Sequence, residues 1–351
     1  MHIADLRRQL SDRGARPDHV DRVLRRWLQG LAQDSRHRRV GDFLGKAVRD
    51  ELPALLASWS GLARLVEQHP GEDGSARLLV ALHDGQSIES VLLPRGGLCV
   101  STQVGCAVGC VFCMTGQGGL VRQLGSAEIV AQVVLARAQR AVRKVVFMGM
   151  GEPAHNLDAV LDAIELLGTE GQIGHKNLVF STVGDARVFE RLGQGTVKPA
   201  LALSLHSSLA ARRARLLPRA PRIDPAELVD LGEAYARRTS YPIQYQWTLM
   251  EGVNDDAEDL EGAAALLRGK YAVLNLIPYN AVRGLALRRP SWERAEAIAR
   301  FLHQRGVLAK LRQSAGQDVE AGCGQLRARA VPIAIRPEAS AGAGSLRCGG
   351  S

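Results

Sequence analysis

Three cysteines lie close together in the first third of the chain, at Cys106, Cys110 and Cys113. Their C-x3-C-x2-C spacing places three thiolates on one short loop, where they can bind three irons of a [4Fe–4S] cluster and leave the fourth iron open. An open iron can chelate the amino and carboxylate groups of S-adenosylmethionine, and an electron passed to the sulfonium then yields a 5′-deoxyadenosyl radical. The spacing therefore predicts a cluster that initiates radical chemistry.

A structural zinc site is the main alternative, with Cys99 or His206 as its fourth ligand. Zinc sites usually contain paired C-x2-C units or Cys/His pairs, and this sequence has no second pair. We therefore favour the cluster. Cys348, near the end of the sequence, has no role that its surroundings indicate.

Further candidate ligand-binding residues follow strand-like segments. In FMGMGEP, Gly151 would let a ligand approach the backbone, and the Glu152 carboxylate could accept hydrogen bonds from the ligand's ammonium group. Ser181 and the run Ser204-Leu205-His206 stand at the ends of later strands, where ligand groups cluster in such architectures. Asn280 could bond a ribose or a carboxylate, although asparagine is also common in turns. Likewise, His206 taken alone is more typical of a core or rim histidine.

The elements that must position these residues alternate between strand and helix. Strand-like runs include GLCVSTQV, KVVFMG, NLVFST, ALALSLH, IQYQWTLM, YAVLNLIP and VLAKLRQ, with amphipathic helical segments between most of them. Repeated alternation predicts an α/β fold with parallel strands covered by helices. The seven candidate strands are compatible with a partial (β/α) barrel or a doubly wound sheet.

The flanking segments have a different character. We expect residues 1–72 to form a basic helical module, which is either a solvated helical pair or a docking module for RNA phosphates. Residues 73–94 read as a β-hairpin that turns at Asp84-Gly85. Residues 327–351 are rich in Ala, Gly and Arg, and we expect them to be disordered.

Composition limits the function only weakly. The 351 residues carry a net charge of +9, which is consistent with a polyanionic partner such as RNA. No apolar run reaches the roughly 18 residues that span a bilayer. The first residues are polar and lack a signal-peptide core. We therefore expect a cytoplasmic protein with no membrane partner, and a monomer.

Several stretches together make the chain resemble the RlmN and Cfr family of radical S-adenosylmethionine RNA methyltransferases. They are CVSTQVGCAVGCVFC, FMGMGEP, LSLH, GVND, NLIPYN and, most specifically, GCGQL at residues 322–326. The resemblance runs from about Ser87 to Leu326. It implies a partial (β/α)6 barrel over residues 95–326, preceded by a helical accessory domain and the β-hairpin extension.

The resemblance also implies roles for three residues outside the cluster triad. Cys323 would carry a methyl group as S-methylcysteine, Cys99 would resolve the product by a transient disulfide with Cys323, and Glu89 would accept the ring proton. Without the resemblance, both cysteines could be inert buried thiols and Glu89 a surface strand residue.

The family consumes two S-adenosylmethionine molecules per turnover and draws an electron from a donor such as flavodoxin or ferredoxin. By resemblance, the substrate is an adenosine of 23S rRNA or tRNA. C2 is favoured over the C8 position that Cfr-type members modify. A radical enzyme acting on a non-RNA substrate, and a zinc-stabilised RNA-binding protein without catalysis, remain alternatives.

Three stretches depart from the usual family pattern. The run Ala-Gly-Gln-Asp-Val-Glu-Ala-Gly at residues 315–322 stands where the family usually has an acidic run before the distal cysteine. Ser181-Thr182-Val183-Gly184 stands where the family usually has Ser-Thr-Ser-Gly, and Leu217-Pro218-Arg219-Ala220 stands where it has Val-Pro-Ile-Asn. These changes leave the radical machinery intact and raise the hypothesis of a divergent paralogue with a different RNA substrate.

Overall fold

A computed structural model describes residues 1–33, 44–282 and 284–328. Its helices are α1 (Ile3–Ser11), α2 (Pro17–Leu28), α3 (Lys46–Ser60), α4 (Met114–Gln117), α5 (Ser126–Arg137), α6 (Leu157–Gly168), α7 (Ala186–Arg191), α8 (Ala210–Leu216), α9 (Pro225–Thr239), α10 (Ala257–Leu267) and α11 (Trp292–Gln304). Its strands are β1 (Arg64–Pro70), β2 (Ala76–Ala81), β3 (Ser87–Leu93), β4 (Gly97–Cys99), β5 (Gln103–Gly105), β6 (Leu120–Gln123), β7 (Lys144–Phe147), β8 (Leu178–Thr182), β9 (Ala200–Ser204), β10 (Ile243–Leu249), β11 (Ala272–Pro278) and β12 (Ala309–Leu311).

A sheet of ten strands in the order β1-β2-β3-β4-β7-β8-β9-β10-β11-β12 dominates the fold. The pairs from β4 to β12 are all parallel. Helices follow each of these strands except the last, so six strand–helix units lead to a seventh short strand. Strands such as β8 are buried along their whole length, as expected where helices cover a parallel sheet. The expected α/β partial barrel is confirmed.

The hairpin is part of the same sheet. Strand β3 pairs with β4 in antiparallel register, with Val91 opposite Cys99, and β2 pairs with β3 around the predicted Asp84-Gly85 turn. The hairpin therefore extends the edge of the barrel sheet instead of forming a separate unit.

The expectation that residues 1–72 are helical is wrong for their last part. Residues 64–70 form β1, which pairs with β2 in antiparallel register from Arg64 opposite Ala81 to Pro70 opposite Ala76. The run RLVEQHP has no helical spacing of apolar residues, and an exposed edge of β2 is available to pair with it. Three antiparallel strands, not two, precede the barrel.

GLCVSTQV, predicted as one strand, is divided between two sheets. Its first residues form β4, but the chain then leaves the main sheet and β5 pairs with β6 in a separate two-stranded sheet. This departure matters for the site, because β5 leads directly into Cys106.

The N-terminal helices pack on the barrel. Trp27 of α2 and Trp59 of α3 meet edge to face, with ring centroids 5.3 Å apart, and Arg137 of α5 donates a hydrogen bond to the carbonyl oxygen of Leu28 (2.8 Å). A role in RNA docking stays a prediction. The charged connector at residues 34–40 and the tail from residue 329, including Cys348, lie outside the described residues.

In the described parts of the chain, none of the helices combines the length and apolarity needed to cross a bilayer.

Candidate active site

A cavity lies at the carboxyl ends of the parallel strands, where ligands bind in such folds. It brings together ten of the residues that the sequence singled out: Cys99, Cys106, Cys110, Cys113, Gly151, Glu152, Ser181, Ser204, His206 and Cys323. Glu89, Leu205 and Asn280 are not among its lining residues. The side chain of Leu205 is fully buried in the hydrophobic core instead.

The cluster loop, residues 106–113, is shaped by a glycine and by β6. Gly105 has a φ of +77°, and a Cβ built there would lie 2.0 Å from the carbonyl oxygen of Gly119. Cys106 donates its backbone N–H to the same oxygen (2.9 Å), and the Cys113 N–H bonds the Cys110 carbonyl (3.1 Å). Only glycine tolerates both the backbone angle and the close contact at position 105.

Cys106 is buried and Cys110 and Cys113 are half-buried, and the three cluster cysteines influence one another. Burial raises the pKa of Cys106 to about 12, and negative charge on Glu152 and Cys113 adds to the effect. Burial also raises the pKa of Cys110, followed by charge on Cys113 and Cys106. Adjacent thiolates in such a site require cations to neutralise them, which iron supplies. The residues present therefore fit a [4Fe–4S] cluster.

The zinc alternative finds no support in the arrangement of side chains. Among the described residues, no three His, Cys, Asp or Glu side chains converge as ligands of a single metal ion.

Glu152 joins the ends of two neighbouring strands. Its Oε1 accepts the Ala154 N–H and its Oε2 accepts the Val183 N–H, each at 3.0 Å. Burial raises the pKa of this carboxyl to about 7, although hydrogen bonds from Thr182 and the two backbone groups oppose the shift. Glu152 therefore organises the turn after β7 and the end of β8 while facing the cavity.

His206 is a neutral side chain with a defined tautomer. Its Nδ1 accepts the backbone N–H of Thr248 (3.0 Å), so the ring carries its proton on Nε2. Burial, followed by charge on Arg213, lowers the pKa of His206 to about 3. The ring also packs edge to face on Phe112, with centroids 4.8 Å apart. His206 thereby links the end of β9 to the cluster loop.

Cys99 and Cys323 share the cavity. Burial raises the pKa of Cys99 to about 12, and negative charge on Cys323, which lines the same cavity, raises it further. Cys323 is exposed by its surface area, but the atoms packed around its sulfur raise the pKa of its thiol, while a hydrogen bond with Ser314 lowers it. The described cysteines, these two included, are free thiols, so the structure contains no disulfide among them.

The segment that carries Cys323, residues 314–327, is called the Cys323 loop below. Two hydrogen bonds attach it to α4, the helix that follows the cluster loop. Met114 donates its N–H to the Gly324 carbonyl (2.7 Å), and Thr115 Oγ1 donates to the Leu326 carbonyl (2.6 Å). These bonds hold Cys323 against the wall formed by the cluster cysteines.

Asn280 is hydrogen-bonded to the Cys323 loop. Its Nδ2 donates to the Cys323 carbonyl (3.0 Å) and to Ser314 Oγ (2.9 Å). The sequence suggested a ribose or carboxylate contact for Asn280. In the structure the amide nitrogen holds the backbone of Cys323, while Asn280 Oδ1 has no hydrogen-bond partner among the described residues, so a contact with a ligand stays a prediction.

The turn between β1 and β2 holds the other side of the Cys323 loop. Asp318 accepts the backbone N–H of Glu72 (2.9 Å), and Asp73 accepts the backbone N–H of Gly316 (3.1 Å). These reciprocal carboxylate bonds connect the antiparallel extension to the loop. The extension therefore has a positioning role that its hairpin pattern did not reveal.

Glu89 lies on β3, on the same face as the cavity-lining Val91, and is completely buried. Its Oε1 accepts a hydrogen bond from Arg77 Nη1 (2.5 Å), and its Oε2 accepts the Arg327 N–H (2.9 Å). The carboxylate thus lies behind the cavity wall and touches the Cys323 loop. The surface-residue alternative for Glu89 is wrong, because β2 and the Cys323 loop cover it.

Sequence reasoning missed Arg213, a buried residue of α8. Its guanidinium donates to the carbonyl oxygens of Val183 and Ser204. Burial lowers the pKa of Arg213 to about 10, and negative charge on Cys110 and Glu152 opposes the shift. A buried cation therefore lies next to a cluster cysteine. No local signal distinguishes it, because it belongs to the arginine-rich run AARRARL.

The comparisons with known proteins concern most of the chain. The Radical SAM superfamily profile matches residues 100–264. A Leptothrix cholodnii protein named "Probable RNA methyltransferase" is 69% identical over 345 residues, which cover 97% of this chain and 99% of that protein. A Chromobacterium violaceum protein of the same name is 65% identical over 335 residues, with 95% of each chain covered.

A solved structure also matches most of the chain. The crystal structure of a radical SAM methyltransferase from Sphaerobacter thermophilus matches with a TM-score of 0.81 and 34% identity, and the match covers 93% of this chain and 98% of that one. The similarity therefore includes the helical module and the antiparallel strands as well as the barrel.

Proposed function

Because the chain belongs to the RlmN/Cfr family of radical S-adenosylmethionine RNA methyltransferases, we propose that it methylates an adenosine of RNA through a methyl group carried by Cys323. The observation that carries this proposal is the shared cavity, in which Cys99 and Cys323 lie beside the cluster cysteines. The favoured position is C2, and the favoured substrates are 23S rRNA and tRNA.

The family implies a [4Fe–4S] cluster and S-adenosylmethionine as cofactors. Cys106, Cys110 and Cys113 would hold the cluster, and the nearby cavity residues Gly151, Glu152, Ser181, Ser204 and His206 would contact S-adenosylmethionine. Leu205 could contribute only its backbone, since its side chain is in the core. When bound, the two cofactors supply a 5′-deoxyadenosyl radical.

Three residues of the chain would carry out the remaining steps. Cys323 sulfur carries the methyl group, so one S-adenosylmethionine is consumed as methyl donor and a second as radical source in each turnover. The S-methyl group of Cys323 would first lose one hydrogen atom, and its carbon would bond to the adenine. Once that adduct has given one electron back to the reducing system, Glu89 accepts the ring proton. The Cys99 thiolate then attacks Cys323 sulfur, and the pair of electrons from the breaking sulfur–carbon bond stays on the carbon, which takes up a proton and completes the methyl group. The transient disulfide left on the protein is reduced by two electrons from an external thiol before the next turnover.

The position of Glu89 adds a requirement to this scheme. Its carboxylate is fully buried, does not line the cavity and accepts the backbone N–H of Arg327, so the ring proton can reach it only if the segment between Glu89 and the cavity moves. The Cys323 loop and the proton acceptor are therefore connected, and a rearrangement of the loop would accompany the arrival of RNA.

Mass spectrometry of digested RNA tests the proposal. RNA from a deletion strain, from the same strain complemented with the wild-type protein, and from one complemented with the C323A variant should be compared. We expect 2-methyladenosine in rRNA or tRNA only with the wild-type protein. An 8-methyladenosine product would move the assignment to C8, and the absence of any modified adenosine would favour a non-RNA substrate.

A further inference from the structure

The outer side of the cluster loop is covered by an arginine. Val108, Phe112 and the three cysteines line the cavity, whereas Gly109 and Arg219 do not. Arg219 Nε donates to the Ala107 carbonyl, and the Arg219 N–H bonds the Val108 carbonyl (3.2 Å). Its guanidinium also lies so close to Gly109 that a Cβ there would be 2.5 Å from Nη2. Arg219 thus packs on the side of the loop that faces away from the reacting groups.

The segment around Arg219 is strongly basic. Residues 210–223 contain five arginines and no acidic residue. Two of the five are already engaged, since Arg213 is buried and Arg212 forms ion pairs with Asp256 and Asp259. The other three, Arg215, Arg219 and Arg222, are exposed and are called the Arg219 surface below.

The other flank of the cluster loop is uncharged and partly apolar. No charged residue occurs between Gly105 and Val121. Leu120 pairs with Gly105, and Leu120 and Val121 are exposed to 38% and 59%. Two exposed apolar side chains therefore lie beside the start of the loop that Arg219 covers, and interfaces commonly combine apolar residues with a polar, charged rim.

We propose that the Arg219 surface docks the protein that reduces the cluster, a small acidic one-electron carrier of the flavodoxin or ferredoxin kind. The cluster must receive its electron from outside, and a carrier seated on the outer side of the loop is separated from the cysteines by the loop alone. Electron-transfer contacts are small and transient, and they depend on charge complementarity for their encounter rate. This proposal depends on the proposed function only in requiring a reducible cluster.

RNA is the other polyanion that a basic surface could attract. The target base must reach the cavity that contains Cys323, whereas Gly109 and Arg219 lie outside its lining. A carrier on the outer side of the loop could therefore bind while RNA occupies the cavity. The position of the surface favours the electron carrier.

The test uses the R215E/R222E variant of the reconstituted holoenzyme, which leaves Arg219 and its contacts with the cluster loop in place. A matched control is R237E/R300E, which reverses two exposed arginines on α9 and α11. Flavodoxin binding is measured directly at low ionic strength. The rate of 5′-deoxyadenosine formation is measured with reduced flavodoxin and, separately, with dithionite, which needs no docking.

We expect R215E/R222E to weaken flavodoxin binding and the flavodoxin-supported rate by about tenfold, with the dithionite-supported rate and the iron content unchanged. The control should match the wild type. Unaltered flavodoxin binding by R215E/R222E would overturn the proposal, as would a loss of RNA binding with a normal flavodoxin-supported rate. Because flavodoxin binding is measured without RNA, failure to methylate RNA would count against the proposed function and not against this surface.

Discussion

Arg77 and Glu89 form a buried ion pair across two antiparallel strands, with 2.5 Å between Arg77 Nη1 and Glu89 Oε1. Arg77 also donates to the Val319 carbonyl (2.7 Å), and Glu89 accepts the Arg327 N–H (2.9 Å). Both members of the pair therefore contact the Cys323 loop. The pair connects the proposed proton acceptor with the segment that carries the proposed methyl group.

Removing one member of the Arg77–Glu89 pair should lower the free energy of unfolding. The R77M variant leaves the Glu89 carboxylate buried without its cation, which typically costs about 3–5 kcal/mol, whereas E89Q keeps the shape and one of the two acceptor oxygens, with Arg77 still bonded to the Val319 carbonyl. We expect E89Q to lose methylation with a smaller loss in the free energy of unfolding than R77M. Urea denaturation and RNA methylation assays measure the two effects. Wild-type methylation by E89Q would remove Glu89 from the mechanism.

Cys323 should be required for methyl transfer but not for radical formation. Since the cluster cysteines are a separate set, the C323A variant should retain cleavage of S-adenosylmethionine to 5′-deoxyadenosine while RNA methylation disappears. Chromatography of the nucleoside products measures cleavage, and mass spectrometry of the RNA measures methylation. Methylated RNA from C323A would contradict the methyl-cysteine proposal.

Cys99 should be required for product release. Without its thiol, the bond between Cys323 and the substrate carbon cannot be exchanged for a disulfide, so C99A should accumulate a covalent protein–RNA adduct. A gel shift under denaturing conditions detects the adduct. The C99A/C323A double variant is the matched control and should form none; an adduct in that control, or normal turnover by C99A, would rule out the proposed roles.

Gly105 should be essential for cluster assembly. The G105A variant places a methyl group against the Gly119 carbonyl at a φ of +77°, so the loop that carries the cysteines must shift. We expect a marked loss of iron and sulfide after anaerobic reconstitution. G118A is the control, because Gly118 has open space around it and an ordinary φ of −85°. Equal iron content in the two variants would show that the loop tolerates the change.

The turn between β1 and β2 should restrain the Cys323 loop. The D318A variant removes the acceptor of the Glu72 N–H, so amide hydrogen exchange should accelerate in residues 314–327. Methylation should fall while cleavage of S-adenosylmethionine persists. D158A, which removes a carboxylate whose side chain is 86% exposed, should leave both exchange and methylation unchanged. Unaltered exchange in D318A would mean that other contacts suffice to hold the loop.

Features that depend on residues adjacent in the sequence were predictable from the sequence. The C-x3-C-x2-C spacing places three thiols on one loop whatever the rest of the fold, and alternating apolar patterns identified the parallel strands of the barrel. The strand β1 was missed because RLVEQHP has only a weak pattern of its own and forms by pairing with β2. Where a neighbouring strand supplies the stabilisation, the local sequence carries little of the signal.

The remaining site depends on contacts between distant segments. Resemblance assigned roles to Cys99 and Cys323, but only the fold makes them neighbours, because β4 and the Cys323 loop meet at the cavity. Packing likewise buried Leu205 in the core and directed Asn280 to the backbone of Cys323. The sequence by itself determined the cluster loop and the order of the elements, since both arise from local spacing. The tertiary structure alone decided which side chains face the cavity, since that depends on how distant segments pack.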